Sequence, residues 1–124
     1  MLCVSDAFTD LRVWQGSTDL AIEIYRETAN FPRDEIYSLT QQMRHAAVSI
    51  ASNIAEGKGR KSRKEFQQFL FHARGSLLEL QTQTMIASRW NYISEERAKL
   101  LLDQAARIGR SLTGLINSLS QTIA

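Results

Sequence analysis

Apolar and small residues recur at alternating spacings of four and three along residues 66–87 of this 124-residue chain. The positions are Phe66, Leu70, Ala73, Leu77, Leu80, Thr84 and Ala87. This spacing keeps side chains on one face of an α-helix and is typical of the seam by which helices pack in a bundle. No segment shows the sustained alternation of apolar and polar residues that predicts a β-strand. The chain is therefore predicted to be all α-helical.

Three further helices follow from the same kind of periodicity. The first is predicted over about residues 11–28, before the Phe31-Pro32 pair, the second over about residues 34–56, and the fourth begins after Ser94. Their seams are Val13, Leu20, Ile24 and Thr28; Ile36, Leu39, Met43, Ala47, Ile50 and Ile54; and Leu101, Ala105, Ile108, Leu112, Leu115 and Leu119. Because short connections make consecutive helices antiparallel, we expect an all-α, up-down-up-down four-helix bundle.

Signals at the predicted helix ends support these boundaries. Gly57 and Gly59 are expected to end the second helix by adopting the left-handed conformation that suits a helix terminus. The third helix should begin with a capping box, in which Ser62 accepts from the Glu65 amide and the Glu65 carboxylate reaches back. The sequence WNY at residues 90–92 is expected to end that helix.

Length and composition indicate one domain. With 124 residues and 44% hydrophobic content, the chain can form a single core, so we predict one domain over residues 1–124 with a flexible tail at residues 1–9. No apolar run approaches the roughly 20 residues that span a bilayer, and no signal-peptide pattern opens the chain. The single cysteine, Cys3, forms no internal disulfide and fits a reducing compartment. We therefore expect a cytoplasmic protein without membrane association.

The modest net charge of +2 conceals an uneven distribution. Residues 36–78 contain seven basic and two acidic residues, giving +5, whereas the remainder contains eight basic and eleven acidic residues, giving −3. One part of the molecule should therefore attract polyanions.

Five basic residues lie within seven positions at the connection between the second and third helices, and we call them the basic turn: Lys58, Arg60, Lys61, Arg63 and Lys64. Such a cluster can neutralise phosphates along a nucleic-acid backbone and release counterions without reading the bases. The alternative is that it only solubilises a polar turn. Because no aromatic residue is interleaved with the cluster, structured RNA or a duplex is favoured over a single strand.

A second seam runs along the third helix, displaced by one residue and so by about 100° around its axis. It consists of Phe71, Gly75, Leu78, Thr82 and Met85. One interpretation is that the second and third helices are buried deeply within the monomer. The interpretation that we favour is an interface between subunits, because such side chains gain little from exposure to water. The candidate interface residues are Arg44, Phe71, Arg74, Gly75, Leu78 and Met85.

Arg44 and Arg74 are expected at similar heights in the bundle, far from the basic turn. Antiparallel pairing around Gly59 would place Arg44 opposite residues 74–76. In an oligomer the two guanidinium groups would line a central channel or bind glutamates of neighbouring subunits. We favour such structural or interface roles over direct ligand contact.

No pattern of residues indicates catalysis or a metal site. His45 and His72 lack nearby companions at metal-ligand spacing. Glu79 is isolated from other acids, so paired carboxylates for acid-base chemistry are missing. Gly57 and Gly59 do not follow a predicted strand, as a phosphate-binding loop would require. We predict a protein that is not an enzyme and that uses no cofactor.

Five stretches of the sequence resemble one known family. They are FxxLxVWQ from residue 8, FP at residues 31–32, QxRxAAVSIxSNIAEG at residues 42–57, EFxxFL at residues 65–70 and ARGS at residues 73–76. Together they resemble the four-helix-bundle proteins encoded in bacterial 23S rRNA intervening sequences, and the likeness extends over nearly the whole chain.

The resemblance implies a ring-like homopentamer and a link to RNA and retroelements. By analogy with accessory proteins of diversity-generating retroelements, it also implies a reverse transcriptase as a partner. Two classes of function stay open: an oligomer that binds RNA or DNA through its basic turns, and a protein-interaction scaffold whose charge only keeps it soluble. Binding that weakens with salt and with Lys61→Glu or Arg63→Glu indicates the first, and salt-insensitive capture of one protein indicates the second.

Overall fold

Four α-helices form the protein, as a computed structural model that describes residues 7–123 shows. They are α1 (Arg12–Thr28), α2 (Leu39–Lys58), α3 (Arg63–Arg89) and α4 (Glu95–Ile123), with short 3-10 helices at Phe8–Asp10 and Arg33–Glu35. No strand occurs among the described residues, so the predicted all-α four-helix fold is confirmed. The helices pack in chain order, with α2 against α1 and α3, α3 against α4, and α4 back against α1, which is consistent with up-down-up-down topology.

The core follows the predicted seams closely. On α3 the whole seam from Leu70 to Ala87 is buried and Phe66 packs against its edge. On α4 the seam is buried except at Leu115, which is half-buried, while Ile116 beside it is in the core. Fully burying one such aliphatic side chain contributes about 1.5–3 kcal/mol, so this shared seam is the main stabilising feature of the bundle.

The second helix begins later than the sequence indicates. Asp34 and Glu35 belong to a 3-10 helix, and α2 begins only at Leu39, because Ser38 leaves helical geometry with φ −130° and ψ −105°. The Glu35 carboxylate accepts hydrogen bonds from the Ser38 hydroxyl and, at 3.4 Å, from the Leu39 amide. Ile36, which the seam included, is 51% exposed and lies outside the core.

The two glycines near the basic turn do not adopt the predicted left-handed conformation. Gly59 has φ −78°, and no glycine among the described residues has a positive φ. Gly57 lies inside α2, where a Cβ would come within 2.6 Å of the Phe69 Cβ and 3.0 Å of Phe66 Cδ1. Glycine is therefore needed at position 57 for close approach of α3, not for a turn. The Ser62 cap is confirmed, since its Oγ accepts from the Glu65 amide at 3.0 Å.

The connection between α3 and α4 behaves as predicted. Asn91 adopts φ 65°, a conformation that asparagine tolerates better than most residues, and the chain leaves the helix there. The Tyr92 amide donates to the Ala87 carbonyl at 2.9 Å and so closes the end of α3. Ser94 then caps α4 by accepting from the Arg97 amide at 3.1 Å.

The N-terminal segment is partly structured. Phe8 and Thr9, which the sequence placed in a flexible tail, belong to the first 3-10 helix, and the Phe8 ring packs edge-on against Trp14 with centroids 5.3 Å apart. Residues 1–6, including Cys3, lie outside the described residues.

Candidate nucleic-acid interface

The basic turn lies at one end of the bundle, where α2 passes into α3 over a four-residue connection, residues 59–62. Because Ser62 caps α3 directly, Arg63 and Lys64 occupy the first turn of that helix. Four of the five cations are exposed, and Lys58, the last residue of α2, is half-buried. Cations in a first helical turn are opposed by the helix dipole, typically by 0.3–1 kcal/mol, so this arrangement costs stability unless an anion is bound there.

No acidic side chain neutralises the basic turn within the part of the chain that the structure describes. The ion pairs among the described residues lie elsewhere and join Arg26 to Glu23, and Arg97 to Glu23 and Glu27. Glu56 and Glu65 flank the turn in sequence but form no ion pair with it. The positive charge of the turn is thus left available to an external partner.

Aromatic rings lie beneath two of the five cations. The Arg60 guanidinium carbon is 4.9 Å from the centroid of the Phe69 ring, and Lys58 Nζ is 5.9 Å from that of Phe66. No aromatic residue is interleaved with the cluster in the sequence, but the fold brings these two rings beneath it. Both rings come from the first two turns of α3, and Gly57 allows them to approach α2.

A polar stripe continues from these rings along the surface between α2 and α3. The Phe69 and His72 rings have centroids 6.1 Å apart, and the Ser49 and Ser76 hydroxyls are 2.9 Å apart. Asn53 donates its side-chain amide to the Ser49 carbonyl at 2.8 Å and to its hydroxyl at 3.0 Å. Because Asn53 is one turn from Ser49 and His72 one turn from Ser76, the two lie level on this face.

Arg44 and Arg74 differ from the prediction in height and in direction. The Ser49–Ser76 contact sets the register, so Arg74 lies near the level of residue 51, about 10 Å along the bundle from Arg44 at 1.5 Å per residue. The predicted register is wrong because it centres the helix pairing on Gly59, whereas α2 extends to Lys58.

The two guanidinium groups also contact different helices. Arg44 Nε donates to Thr28 Oγ1 at 2.8 Å, and its guanidinium carbon lies 4.7 Å from the Tyr25 ring centroid, both on α1. Arg74 Nη1 donates to Thr113 Oγ1 on α4 at 3.4 Å and lies over the Phe71 ring at 5.0 Å. Each arginine therefore pins a neighbouring helix within the subunit.

The second seam of α3 is exposed in the monomer. Phe71, Leu78 and Met85, which we call the α3 stripe, are 44%, 59% and 51% exposed. The interpretation that they are buried within one subunit is therefore wrong. Gly75, between Phe71 and Leu78, has open space around its missing side chain, so nothing in the monomer requires glycine there.

Two grooves run along opposite sides of the bundle. The α1/α2 groove has a volume of about 600 Å³ and is lined by Trp14, Ala21, Ile22, Tyr25, Val48 and Ala51, among others. The α3/α4 groove has a volume of about 830 Å³, and Leu78 and Arg74 line it with Gly109 and Gly114. Since the four helices pack in cyclic order, these two sides face away from each other.

The opposite end of the bundle, which we call the loop end, holds two groups of bonded charged residues, one around Glu35 and one around Arg97. The Tyr92 hydroxyl donates to Glu35 Oε2 at 2.6 Å, and the Tyr92 ring packs on Phe31 with centroids 5.2 Å apart. Hydrogen bonds from Ser38 and from Tyr92 lower the pKa of Glu35, and the bond to Glu35 raises the pKa of Tyr92. Arg97 Nε lies 2.8 Å from Glu27 Oε1, and this hydrogen bond raises the pKa of Arg97.

The described residues offer little for metal binding or membrane insertion. His45 lies beside Tyr25 and Tyr37 between α1 and α2, far along the chain from His72 next to Phe69. Residues 7–123 contain no group of three potential metal ligands among their histidines and acids. Within the same part of the chain, no helix has an apolar stretch long enough to cross a membrane.

The sequence identified the five cations but missed the residues beneath and beside them. Phe66, Phe69, His72 and Asn53 belong to the helices that flank the turn, so a search for aromatics inside the cluster overlooks them. Their signal is the spacing of Phe69 and His72, which are three residues apart, with Phe69 about two turns beyond the capping Ser62 and opposite the small residues of α2.

Comparison with known proteins identifies the family. Residues 9–114 match the family model of the 23S rRNA-intervening sequence protein. The chain belongs to this family. No curated protein sequence matches it significantly.

A solved structure supports the fold of this 23S rRNA-intervening sequence family member. It is a protein of unknown function from the S23 ribosomal protein family of Bacteroides thetaiotaomicron, 23% identical in sequence, with a TM-score of 0.76 over 84% of this chain and 97% of that one. At this level of identity the likeness shows a shared fold.

Proposed function

We propose that this protein is a non-catalytic, oligomeric nucleic-acid-binding protein that contacts the phosphate backbone of RNA or DNA through its basic turn. One observation supports this most strongly: the five clustered cations at the α2–α3 end are without a carboxylate partner among the described residues, whereas Arg97 at the loop end is fully paired. Lys58, Arg60, Lys61, Arg63 and Lys64 are the proposed contact residues.

Phosphate groups of a nucleic acid would supply the negative charge that neutralises the basic turn. Each phosphate that the turn neutralises releases condensed counterions, which drives binding without selecting a sequence. A phosphate near Arg63 and Lys64 is also stabilised by the dipole at the N-terminus of α3, so the unfavourable placement of these cations becomes favourable on binding.

Self-association multiplies this surface. We propose that the α3 stripe of one subunit packs into the α1/α2 groove of the next. A ridge carrying Phe71, Leu78 and Met85 and a groove lined by Trp14 and Ile22 both hold apolar surface away from the monomer core, on opposite sides of the bundle. Such a head-to-tail contact generates a ring when its rotation closes. Five subunits is the number that the family resemblance implies.

A ring would hold several basic turns at a fixed spacing. Once one turn has bound a nucleic acid, the others meet it at a high effective concentration, so weak contacts combine into useful affinity. The resulting binding is expected to depend on the length of the nucleic acid and only weakly on its sequence.

The binding proposal is tested by titrating labelled structured RNA and duplex DNA with the oligomer at several salt concentrations. Micromolar or tighter binding that weakens as salt increases supports it. A variant with all five cations of the basic turn changed to glutamate should not bind, provided that it keeps the same oligomeric state and circular dichroism spectrum. Absence of binding by the wild-type oligomer at low salt contradicts the proposal.

The assembly proposal is tested with a matched pair of leucine substitutions. Leu78→Glu in the α3 stripe and Leu100→Glu on α4 change leucines of nearly equal exposure, 59% and 57%. We expect sedimentation analysis to show dissociation with the first substitution only. If Leu78→Glu leaves the assembly intact, the α3 stripe is not the subunit contact.

A protein-interaction scaffold is the second candidate, and the large apolar α1/α2 groove favours it. In that case the groove holds another protein, such as the reverse transcriptase that the family analogy implies, and the basic turn meets an acidic surface of that partner. A wild-type chain that stays monomeric at micromolar concentration and binds no nucleic acid at low salt would favour this scaffold over the first proposal.

A further inference from the structure

We propose that the basic turn also carries a stacking site for an unpaired nucleobase, formed by Arg60, Phe69 and His72. This inference rests on the proposed nucleic-acid-binding function and deepens it, because it names single-stranded segments as the preferred substrate. It departs from the sequence-based expectation that structured RNA or a duplex is favoured over a single strand.

The geometry of Arg60 is the first argument. Its guanidinium carbon lies over the Phe69 ring, 4.9 Å from the ring centroid, so one side of the guanidinium group packs against the ring. Arg60 itself is exposed, which leaves planar surface open to solvent. A guanidinium plane held in this way is a platform on which an unstacked base packs, and recognition of unpaired RNA commonly uses such planes.

The surroundings of Phe69 are the second argument. The ring is half-buried, and a Cβ at Gly57 would come within 2.6 Å of the Phe69 Cβ, so the base of this side chain lies close against α2. The exposed His72 ring lies 6.1 Å from the Phe69 ring, centroid to centroid, and extends the aromatic surface along α3. Together these groups form a row of planar surfaces, in which the two rings are tilted by 37°.

Charge complementarity favours nucleic acid as the occupant. Lys61, Arg63 and Lys64 are exposed beside Arg60, and they supply cations for the phosphates on either side of a stacked base. A continuous duplex presents its bases stacked and paired, so it can use the cations and not the planar row. A loop or single strand can use both, and we therefore expect it to bind more tightly.

The α2–α3 side is compatible with the proposed assembly. The α1/α2 groove and the α3 stripe are the surfaces that we assign to subunit contacts, and Leu78 of the stripe lies on the α3/α4 side. The row of Arg60, Phe69 and His72 lies on the α2–α3 side, between them. It therefore stays open to a ligand in the ring.

Two probes with equal numbers of phosphates test the site. One is an RNA stem with a large single-stranded loop, and the other is a fully paired RNA of the same length; DNA versions of both show whether the sugar matters. The variants are Arg60→Lys, which keeps the charge, and Phe69→Leu, which keeps an apolar side chain; both remove planar surface. Arg33→Lys, at an exposed arginine of the loop end, is the matched control. His72→Ala is a third variant that leaves the core untouched, because His72 is exposed.

We expect Arg60→Lys and Phe69→Leu each to weaken binding of the looped probe by about tenfold, the size of one lost base stack. The loss should be much smaller on the paired probe, because Arg60→Lys keeps its cation and Phe69 carries no charge, and Arg33→Lys should weaken binding of neither probe. Equal binding of the two probes by the wild type, or equal loss on both probes in Arg60→Lys, overturns the stacking site and leaves the backbone-binding proposal standing. Failure of the wild type to bind either probe overturns both.

Discussion

The two ends of the bundle differ in how their charged side chains are paired. At the loop end Glu35 is bonded to Tyr92, and Arg97 to Glu23 and Glu27, so these charged groups meet partners within the chain. At the basic turn five cations lie close together without an ion-pair partner among the described residues. The bonded charges of the loop end meet partners within the chain, whereas the clustered cations of the basic turn remain available to the anionic partner that we propose.

The contrast separates stability from function within one fold. Pairing at the loop end fixes the connections that join α1 to α2 and α3 to α4. The basic turn gives up such pairing and places Arg63 and Lys64 against the helix dipole, which lowers stability there. We propose that binding is the function for which these cations are kept at positions that lower the stability of the monomer.

The largest expected effect comes from reversing charge at one end and then at the other. Lys61→Glu/Arg63→Glu and the matched control Arg33→Glu/Lys99→Glu at the loop end each change the net charge by four units, from +2 to −2. We expect the first pair to weaken RNA binding about a hundredfold at low salt and the control to change it by no more than about threefold. The measurement is fluorescence anisotropy with labelled RNA.

Equal losses in the two double variants would remove the contrast between the ends. Binding would then follow overall charge, and the basic turn would be one part of a diffuse surface.

A smaller effect is expected from a methyl group added at the basic turn. Gly57→Ala forces a Cβ to within 2.6 Å of the Phe69 Cβ, and overpacking of this kind typically costs 1–3 kcal/mol. Urea denaturation should therefore show a lower free energy of unfolding. An unchanged midpoint would mean that α3 shifts away from α2 without cost.

An increase in stability is expected from a methyl group added at Gly75, on a different face of the helix pair. Gly75→Ala adds its methyl group to open space within α3, so the gain in helix propensity, about 0.5–1 kcal/mol, should stabilise the protein. The same denaturation experiment at the same protein concentration measures it. A loss of stability that depends on protein concentration would instead place Gly75 directly under a neighbouring subunit.

The smallest effect concerns pH at the loop end. Because the pKa of Glu35 is lowered in the folded protein, its contribution to stability is present above its ordinary pKa of 4.5 and is lost as the pH falls through the lowered value. Tyr92→Phe removes one of the bonds that lower this pKa. We expect the variant to be less stable than the wild type near neutral pH and the difference to shrink below 4.5.

Urea titrations across this pH range measure the difference between Tyr92→Phe and the wild type. A difference that persists at low pH would mean that the Tyr92 hydroxyl stabilises the fold independently of the charge on Glu35, because Tyr92→Phe keeps the ring that contacts Phe31.

Much of the fold could be predicted because periodicity and capping are local. The seam from Phe66 to Ala87 and the caps at Ser62 and Ser94 appear where the sequence indicated. The start of α2 was misplaced because Ser38 interrupts a pattern that looks continuous in sequence. The role of Gly57 was misassigned because its reason is a contact with Phe69, twelve residues away, which no local rule contains.

The candidate site was predictable only in part. Clustered cations are visible in the sequence, but the lack of ion pairs around them and the ring beneath Arg60 are facts of three-dimensional packing. The heights of Arg44 and Arg74 were misjudged because helix pairing depends on where α2 ends, and a small error there shifts the register along the whole pair.

The most direct test of the central claim, that the basic turn binds nucleic-acid phosphates, is the slope of the logarithm of the RNA-binding constant against the logarithm of salt concentration. We predict a steep negative slope for the wild type that becomes shallower by about 1–2 in Lys61→Ala/Arg63→Ala, because each lost phosphate contact removes about 0.7–0.9. A wild-type binding constant that does not change with salt, or an unchanged slope in the variant, would contradict it.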